Sequence, residues 1–249
     1  MSKSAEVEIP LTGGRLTEGV VRVGETVRRP SSDASEFIAD LLALLEVRGF
    51  EGAPRHLGLD DLGRDTFTFI EGSVRGFERW ADAQVAAAGR LLRGFHDATR
   101  GSALAADRSV VCHHDPGPNN TIFQDEEPIA FIDFDMAAPG EPLEDVGYMA
   151  WTWCVSSKQS APEAERQASQ VRLLVDAYGL DADLRSDVVD AILDRQARNV
   201  EFWRRFLDLP CPGVASREQV ESRIEWSQLE RRYVSANRPV FEAALSHGH

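Results

Sequence analysis

Apolar and polar positions over the first seventy residues fall into short runs separated by turn residues. Val20-Val21-Arg22-Val23 and Thr26-Val27-Arg28-Arg29 flank Gly24-Glu25, and glycine at the first central position of a two-residue turn suits a type II′ hairpin. Pro30 ends the second run. Phe37, Ile38, Leu41, Leu42, Leu44 and Leu45 then form an apolar face, with Ser35 placed to cap and Gly49 to stop, so a helix is predicted over about 35–48. His56-Leu57-Gly58-Leu59 and Thr66-Phe67-Thr68-Phe69-Ile70 read as strands around the polar turn from Asp60 to Arg64.

Beyond Glu71-Gly72-Ser73-Val74-Arg75-Gly76 the period lengthens. Val85, Ala88, Leu91, Leu92 and Phe95 recur near 3.6 residues and predict a helix from Asp82 to Thr99. Asn120-Thr121-Ile122-Phe123 and Ile129-Ala130-Phe131-Ile132 interrupt the helices as a hairpin. Helices are then predicted for Leu143 to Cys154, Pro162 to Tyr178, Leu184 to Leu209, Ser216 to Ala236 and Pro239 to Ser246. The pattern predicts an α+β protein, with a small strand-rich lobe over residues 1–70, a connection over 71–76 and a larger, mostly helical lobe over 77–249. There is no internal repeat.

Composition fits that picture, since 249 residues at 43% hydrophobic and 27% charged can bury a substantial core. The longest apolar stretches fall far short of the roughly 20 residues a membrane helix needs. The amino terminus lacks the basic start and apolar region of a secretory signal, so a cytoplasmic location is expected. Cys112, Cys154 and Cys211 are odd in number and widely spaced, as reduced thiols would be. A formal net charge of -14 argues against a nucleic-acid partner, whose backbone is bound by Lys and Arg. It is compatible with a cationic small molecule, although acidic excess by itself mainly confers solubility. Only Lys3 and Lys158 among the 27 basic residues are lysines.

Two segments carry the candidate chemistry. His113-His114-Asp115-Pro116-Gly117-Pro118-Asn119-Asn120 places an Asn five positions after an Asp, and Phe131-Ile132-Asp133-Phe134-Asp135 places a further Asp after an apolar run. Those three side chains are the oxygen-bearing set that Mg²⁺-dependent phosphoryl transfer uses. A hydrolytic metal centre built from His113, His114, Asp115, Asp133 and Asp135 fits less well, because adjacent histidines diverge in an extended chain. Cys112 beside His113 reads more simply as a packed cysteine than as an activated thiol.

With these residues the chain resembles the aminoglycoside phosphotransferase family of the protein-kinase-like fold. The signature HxDxxxxN is matched by His113, Asp115 and Asn120, and Asp133 stands where the family's metal-binding Asp is found. Pro139-Gly140-Glu141-Pro142-Leu143-Glu144-Asp145, Leu91-Leu92-Arg93-Gly94-Phe95-His96-Asp97-Ala98 and Phe69-Ile70-Glu71-Gly72 match in order as the approach to the next helix, the helix before the catalytic loop and the hinge. The resemblance covers most of the chain. It implies a bilobal fold, ATP or GTP as co-substrate, and Mg²⁺ held by Asn120 and Asp133. Asp115 would act as the base and His113 as a brace of its loop. The backbone of Phe69, Ile70 and Glu71 would meet the nucleotide base.

The amino-terminal lobe departs from the family pattern. Leu11 to Val20 is neither a Walker loop nor a full GxGxxG, and no lysine is available on the third strand. Arg28 or Arg29 must serve the phosphates, with Arg29 preferred because Val27 shares its strand face. Glu36 or Asp40 is the expected helix partner of that arginine. The acceptor is expected to be a hydroxylated small molecule, with Asp135, Glu141, Glu144, Asp194 and Glu201 as acids that could meet a cationic one. The protein is expected as a monomer or homodimer. The alternative is a kinase-like binding or immunity protein that sequesters a toxic molecule without turnover.

Overall fold

The structure is a computed structural model that describes residues 7–11, 18–207 and 215–246. Strands β1 (Glu8–Pro10), β2 (Val21–Val23), β3 (Thr26–Pro30), β4 (His56–Leu59) and β5 (Arg64–Thr68) form one antiparallel sheet in the order β1-β2-β3-β5-β4. The β2–β3 turn is the predicted one: Val23 pairs with Thr26, and Gly24 takes φ +58°, a value glycine adopts without penalty. Residues 12–17, the core of the candidate phosphate-covering turn, lie outside the described residues, as does Cys211.

Helix α1 (Ser35–Val47) packs Ile38, Leu41, Leu42 and Leu45 inward. Ser35 does not cap it. Ala34 occupies that position, while the Ser35 hydroxyl accepts from the Ser32 amide at 2.9 Å and donates to Asp65, a carboxylate buried on β5. A serine whose hydroxyl is taken by another strand is not available to cap its own helix.

Strand β6 (Ser73–Val74) joins β8 (Thr121–Gln124) and β9 (Glu127–Phe131) in a second sheet, and β7 (Val110–Cys112) pairs with β10 (Ala138–Gly140). Around them lie α2 (Asp82–Thr99), α3 (Pro142–Met149), α4 (Ala164–Tyr178), α5 (Val188–Leu207), α6 (Arg217–Ala236) and α7 (Arg238–Ser246). Helix α2 packs on α4, α3 on α5, and α5 on α6. The α3–α5 approach depends on Gly147, since a Cβ there would lie 2.7 Å from the Ala191 carbonyl carbon.

The helix predicted to run to Cys154 stops at Met149 and continues as a π-helical turn, Ala150–Cys154. Residues two apart point to nearly opposite sides of a regular helix, yet Trp151 and Trp153 are both buried. The two rings are buried in different directions. Trp151 stacks on Trp226, and Trp153 donates its indole N–H to the Pro116 carbonyl at 3.1 Å. The turn therefore also holds the loop that carries Asp115. Likewise the predicted Leu184 helix begins as a 3₁₀ segment, Ala182–Asp187, before α5.

Candidate active site

Two short segments converge at one end of the β8–β9 hairpin. The loop after β7 carries His113 to Asn120, and the residues after β9 carry Ile132 and Asp133. Thr121 pairs with Phe131, and the Ile132 amide donates to the Asn120 carbonyl at 2.9 Å, so Asn120 and Asp133 emerge side by side. Asp115 is tied to the same point, because Asn120 Nδ2 donates to its Oδ2 at 2.7 Å and to its carbonyl at 3.0 Å.

The loop is braced from inside. His113 is fully buried, its Nε2 donates to the Ile132 carbonyl at 3.1 Å, and its Nδ1 accepts from the Asp115 amide at 3.3 Å. Burial lowers its pKa, consistent with a neutral ring whose two nitrogens are both spent within the protein. It braces the loop that carries Asp115. The competing metal centre thus loses His113 as a ligand.

Asp145, one turn into α3 and also fully buried, accepts the His113 amide at 2.6 Å, the His114 amide at 2.8 Å and His96 Nε2 at 3.1 Å. Its burial would raise the pKa, but the His96 hydrogen bond and the electrostatic field of the imidazoles around it outweigh that and hold it at about 2. Two successive amides and a carboxylate fix the backbone one residue before Asp115.

Asp115 itself is half-buried. Its Oδ1 accepts from the Tyr148 hydroxyl on α3, and its Oδ2 accepts from Asn120. Burial pushes its pKa above the ordinary carboxylate value against both hydrogen bonds. From α5, the Arg195 guanidinium donates to the His114 carbonyl and lies 5.1 Å from the Tyr148 ring centre.

Asp133 adopts φ +65°, a left-handed conformation unusual for a non-glycine residue. Although its side chain is 44% exposed, partial desolvation by the cleft walls, then the carboxylates of Asp135 and Asp115, push its pKa up to about 6, with Arg29 acting in the opposite direction. Crowded acids are what a bound cation relieves. Asn120 and Asp133 supply hard oxygens of the kind Mg²⁺ takes one or two at a time while keeping water, so the donor set fits that ion.

Of the two candidate arginines, Arg29 faces the cleft. It is 9% exposed, and its Nη1 lies 2.6 Å from Asp135 Oδ1 and 3.9 Å from Asp133 Oδ1. Arg28 alternates to the other side of β3, 3.8 Å from Asp60. Glu36 and Asp40, expected as helix partners, are exposed on α1, and Arg29 takes its carboxylates from the segment after β9 instead. At the hinge the Phe69 amide donates to the Glu25 carbonyl at 2.8 Å, so that N–H is engaged within the strand lobe, while the rest of the Phe69–Glu71 backbone stands at the edge of the cleft as the group expected to meet a nucleotide base. Cys112 is buried with its thiol directed to the Glu141 carbonyl at 3.3 Å, and burial pushes its pKa far up, so no thiolate nucleophile forms there.

Tyr148, Arg195 and the role of Asp145 went unread in the sequence. Only the place of Asp145 at the end of the Pro139–Asp145 segment and of His96 in the last turn of α2 gave a signal. The expected acids also turn out to be engaged: Glu144 and Asp194 both pair with Arg198, and Glu201 pairs with Arg204.

Comparison with known proteins agrees with this geometry. Residues 20–186 match the sequence model of the phosphotransferase enzyme family. The trifolitoxin immunity protein of Rhizobium leguminosarum bv. trifolii is 31% identical over 208 residues, covering 75% of this chain and 79% of that protein. A choline/ethanolamine kinase family protein from Mesorhizobium loti superposes with a TM-score of 0.62 at 18% identity, over 98% of this chain and 94% of that one. A spectinomycin phosphotransferase crystallised with ADP and spectinomycin gives 0.62 at 13% identity, over 89% and 88%. Such low identities establish the fold, which is the bilobal, protein-kinase-like α+β architecture. The family match spans Arg29, Asp115, Asn120, Asp133 and Asp145 together, and with the 31% identical relative it makes the chain a member of the phosphotransferase enzyme family.

Proposed function

We propose that the protein transfers the γ-phosphoryl group of ATP or GTP to a hydroxyl of a small molecule, with Mg²⁺ as the required ion. The observation that carries this reading is the convergence of Asp115, Asn120 and Asp133 at one end of the β8–β9 hairpin. Phosphoryl transfer asks for positioning and charge neutralisation rather than a covalent intermediate. Asp115 would accept the hydrogen bond of the acceptor hydroxyl, aim its oxygen and take its proton. Asn120 and Asp133 would hold the ion, which offsets phosphate charge. Arg29 would meet the phosphates, and the Phe69–Glu71 backbone the base. Structural relatives crystallised with ADP, or with AMP-PNP and Ca²⁺, support nucleotide and divalent-cation use at this cleft. The strand-rich lobe over residues 1–70, the 71–76 hinge and the helical remainder are the division this reading uses.

The acceptor is a hydroxylated small molecule, an antibiotic being one candidate. With Glu144, Asp194 and Glu201 already paired to arginines, a polycationic acceptor would have to compete for them. A second reading has the immunity relative in its favour: the protein would protect by binding a toxic molecule without turnover.

Thermal unfolding with ATP or GTP, with and without Mg²⁺, tests the nucleotide site. Ligand at a hundred times its dissociation constant adds about 2.7 kcal/mol. A Mg²⁺-dependent rise in Tm that Asp133→Ala abolishes supports the enzyme, and no rise with either nucleotide refutes it. Protection of cells that survives Asp115→Ala selects sequestration.

A further inference from the structure

Arg29 is nine-tenths buried on β3, yet only one edge of its guanidinium is used. Nη1 faces Asp135 at 2.6 Å and, more distantly, Asp133 at 3.9 Å. Nε and Nη2 are buried with no hydrogen-bond partner. Buried donors left unpaired cost free energy and are rare unless a ligand or water completes them. The guanidinium carbon lies 5.4 Å from the Phe67 ring centre, within cation–π range. A planar fork with one edge anchored by a carboxylate and the other edge empty is a receptor for a bidentate anion.

The anchor comes from an unexpected place. Helix α1 is the element packed beside this strand lobe, but its inward residues are Ile38, Leu41, Leu42 and Leu45, and its acids Glu36 and Asp40 are exposed. Asp135 lies in the 3₁₀ turn Phe134–Met136 directly after Asp133, with Phe134 buried against His113 and Phe95. The carboxylate opposite Arg29 therefore belongs to the same turn as the candidate metal ligand and not to α1.

We propose that Asp135 is the positioning residue for Arg29, holding its Nη1 edge so that Nε and Nη2 are presented to the phosphates of a nucleotide. This inference rests on the nucleotide-binding reading above. In this chain the ion pair joins the strand lobe directly to the turn that carries Asp133, and the α1 acids Glu36 and Asp40 stay exposed. Loss of the Asp135 charge would leave Asp133, already 3.9 Å from Nη1, as the carboxylate that competes with phosphate for Arg29.

The test is nucleotide binding by calorimetry on the full chain with ATP in EDTA, so that no effect passes through a metal ion. The set comprises the parent, Arg29→Ala, Asp135→Asn, Asp135→Glu, Glu36→Gln and the Arg29→Ala/Asp135→Asn double variant. Asp135→Asn is expected to weaken ATP about tenfold or more, Asp135→Glu to recover most of that, and Glu36→Gln to match the parent. In the Arg29→Ala background Asp135→Asn should change nothing further, because the residue acts through Arg29. Circular dichroism and the Tm of each variant separate lost binding from lost folding. An Asp135→Asn protein that binds ATP as well as the parent, while Arg29→Ala does not, overturns the inference and leaves the nucleotide site standing. Equal losses from Asp135→Asn in both backgrounds also overturn it. A parent with no affinity for ATP or GTP under any condition overturns both.

Discussion

Asp145 offers the sharpest test of how the Asp115 loop is held. It is fully buried and accepts two backbone amides and His96, and its pKa is held at about 2 against an ordinary value of 3.8. A carboxyl whose folded pKa is depressed stabilises the fold at pH above its ordinary value, and that contribution is lost as pH falls through the folded value. The gap of roughly two pH units corresponds to about 2 to 3 kcal/mol. Asp145→Asn removes the charge and turns an amide N–H₂ toward one of the two backbone donors, so the loss at pH 7 should be at least that large. In a chain of this size it appears as a fall in Tm of about 5 to 10 °C. Urea unfolding of parent and variant from pH 7 to pH 2.5 is the assay. The parent's advantage should be constant down to about pH 4 and then shrink toward pH 2. A variant as stable as the parent at pH 7, or a stability gap unchanged at pH 2.5, would refute the reasoning.

Other outcomes follow from the same geometry. Asp115→Ala should lower turnover by two or more orders of magnitude, the range a positioned general base contributes, with ATP affinity unchanged in a direct binding assay. Tyr148→Phe removes one donor to Asp115 and should reduce kcat several-fold while leaving nucleotide binding intact; an unchanged kcat would show that Asn120 alone aligns the carboxylate. Divalent-cation affinity should fall as pH drops below about 6, where Asp133 takes up a proton that the ion must displace, and Mg²⁺ titrations at pH 7.5 and 5.5 would read that fall. Gly147→Ala forces a Cβ to within 2.7 Å of the Ala191 carbonyl carbon and should cost about 1 to 3 kcal/mol by denaturant unfolding, despite alanine's better helix propensity.

Some of this molecule was written in local pattern. The Gly24 hairpin, the α2 helix and the β8–β9 hairpin each follow from periodicity and turn chemistry within a dozen or so residues. Asp115, Asn120 and Asp133 were legible because their spacing is fixed by a loop and one hairpin, and a hairpin returns its ends to the same place whatever surrounds it. The end of the Leu143 helix was misread because a π-helical turn depends on burying two tryptophans against α6 and the Asp115 loop, which no local propensity records. Ser35 was misread as a cap because Asp65, thirty residues on, takes its hydroxyl.

The sequence by itself thus determined the strand-rich and helical halves, the loop with Asp115 and Asn120, the turn with Asp133, and the lack of a lysine for the phosphates. Tertiary structure decided which arginine enters the cleft and what opposes it, because strand register and the Phe134 turn bring Arg29 to Asp135 across about a hundred residues. It also decided that Asp145, Tyr148 and Arg195 hold the loop. Those side chains sit on helices whose placement depends on the packing of α3 against α5, and a pairwise contact between distant helices is set by how whole faces fit, not by any spacing along the chain.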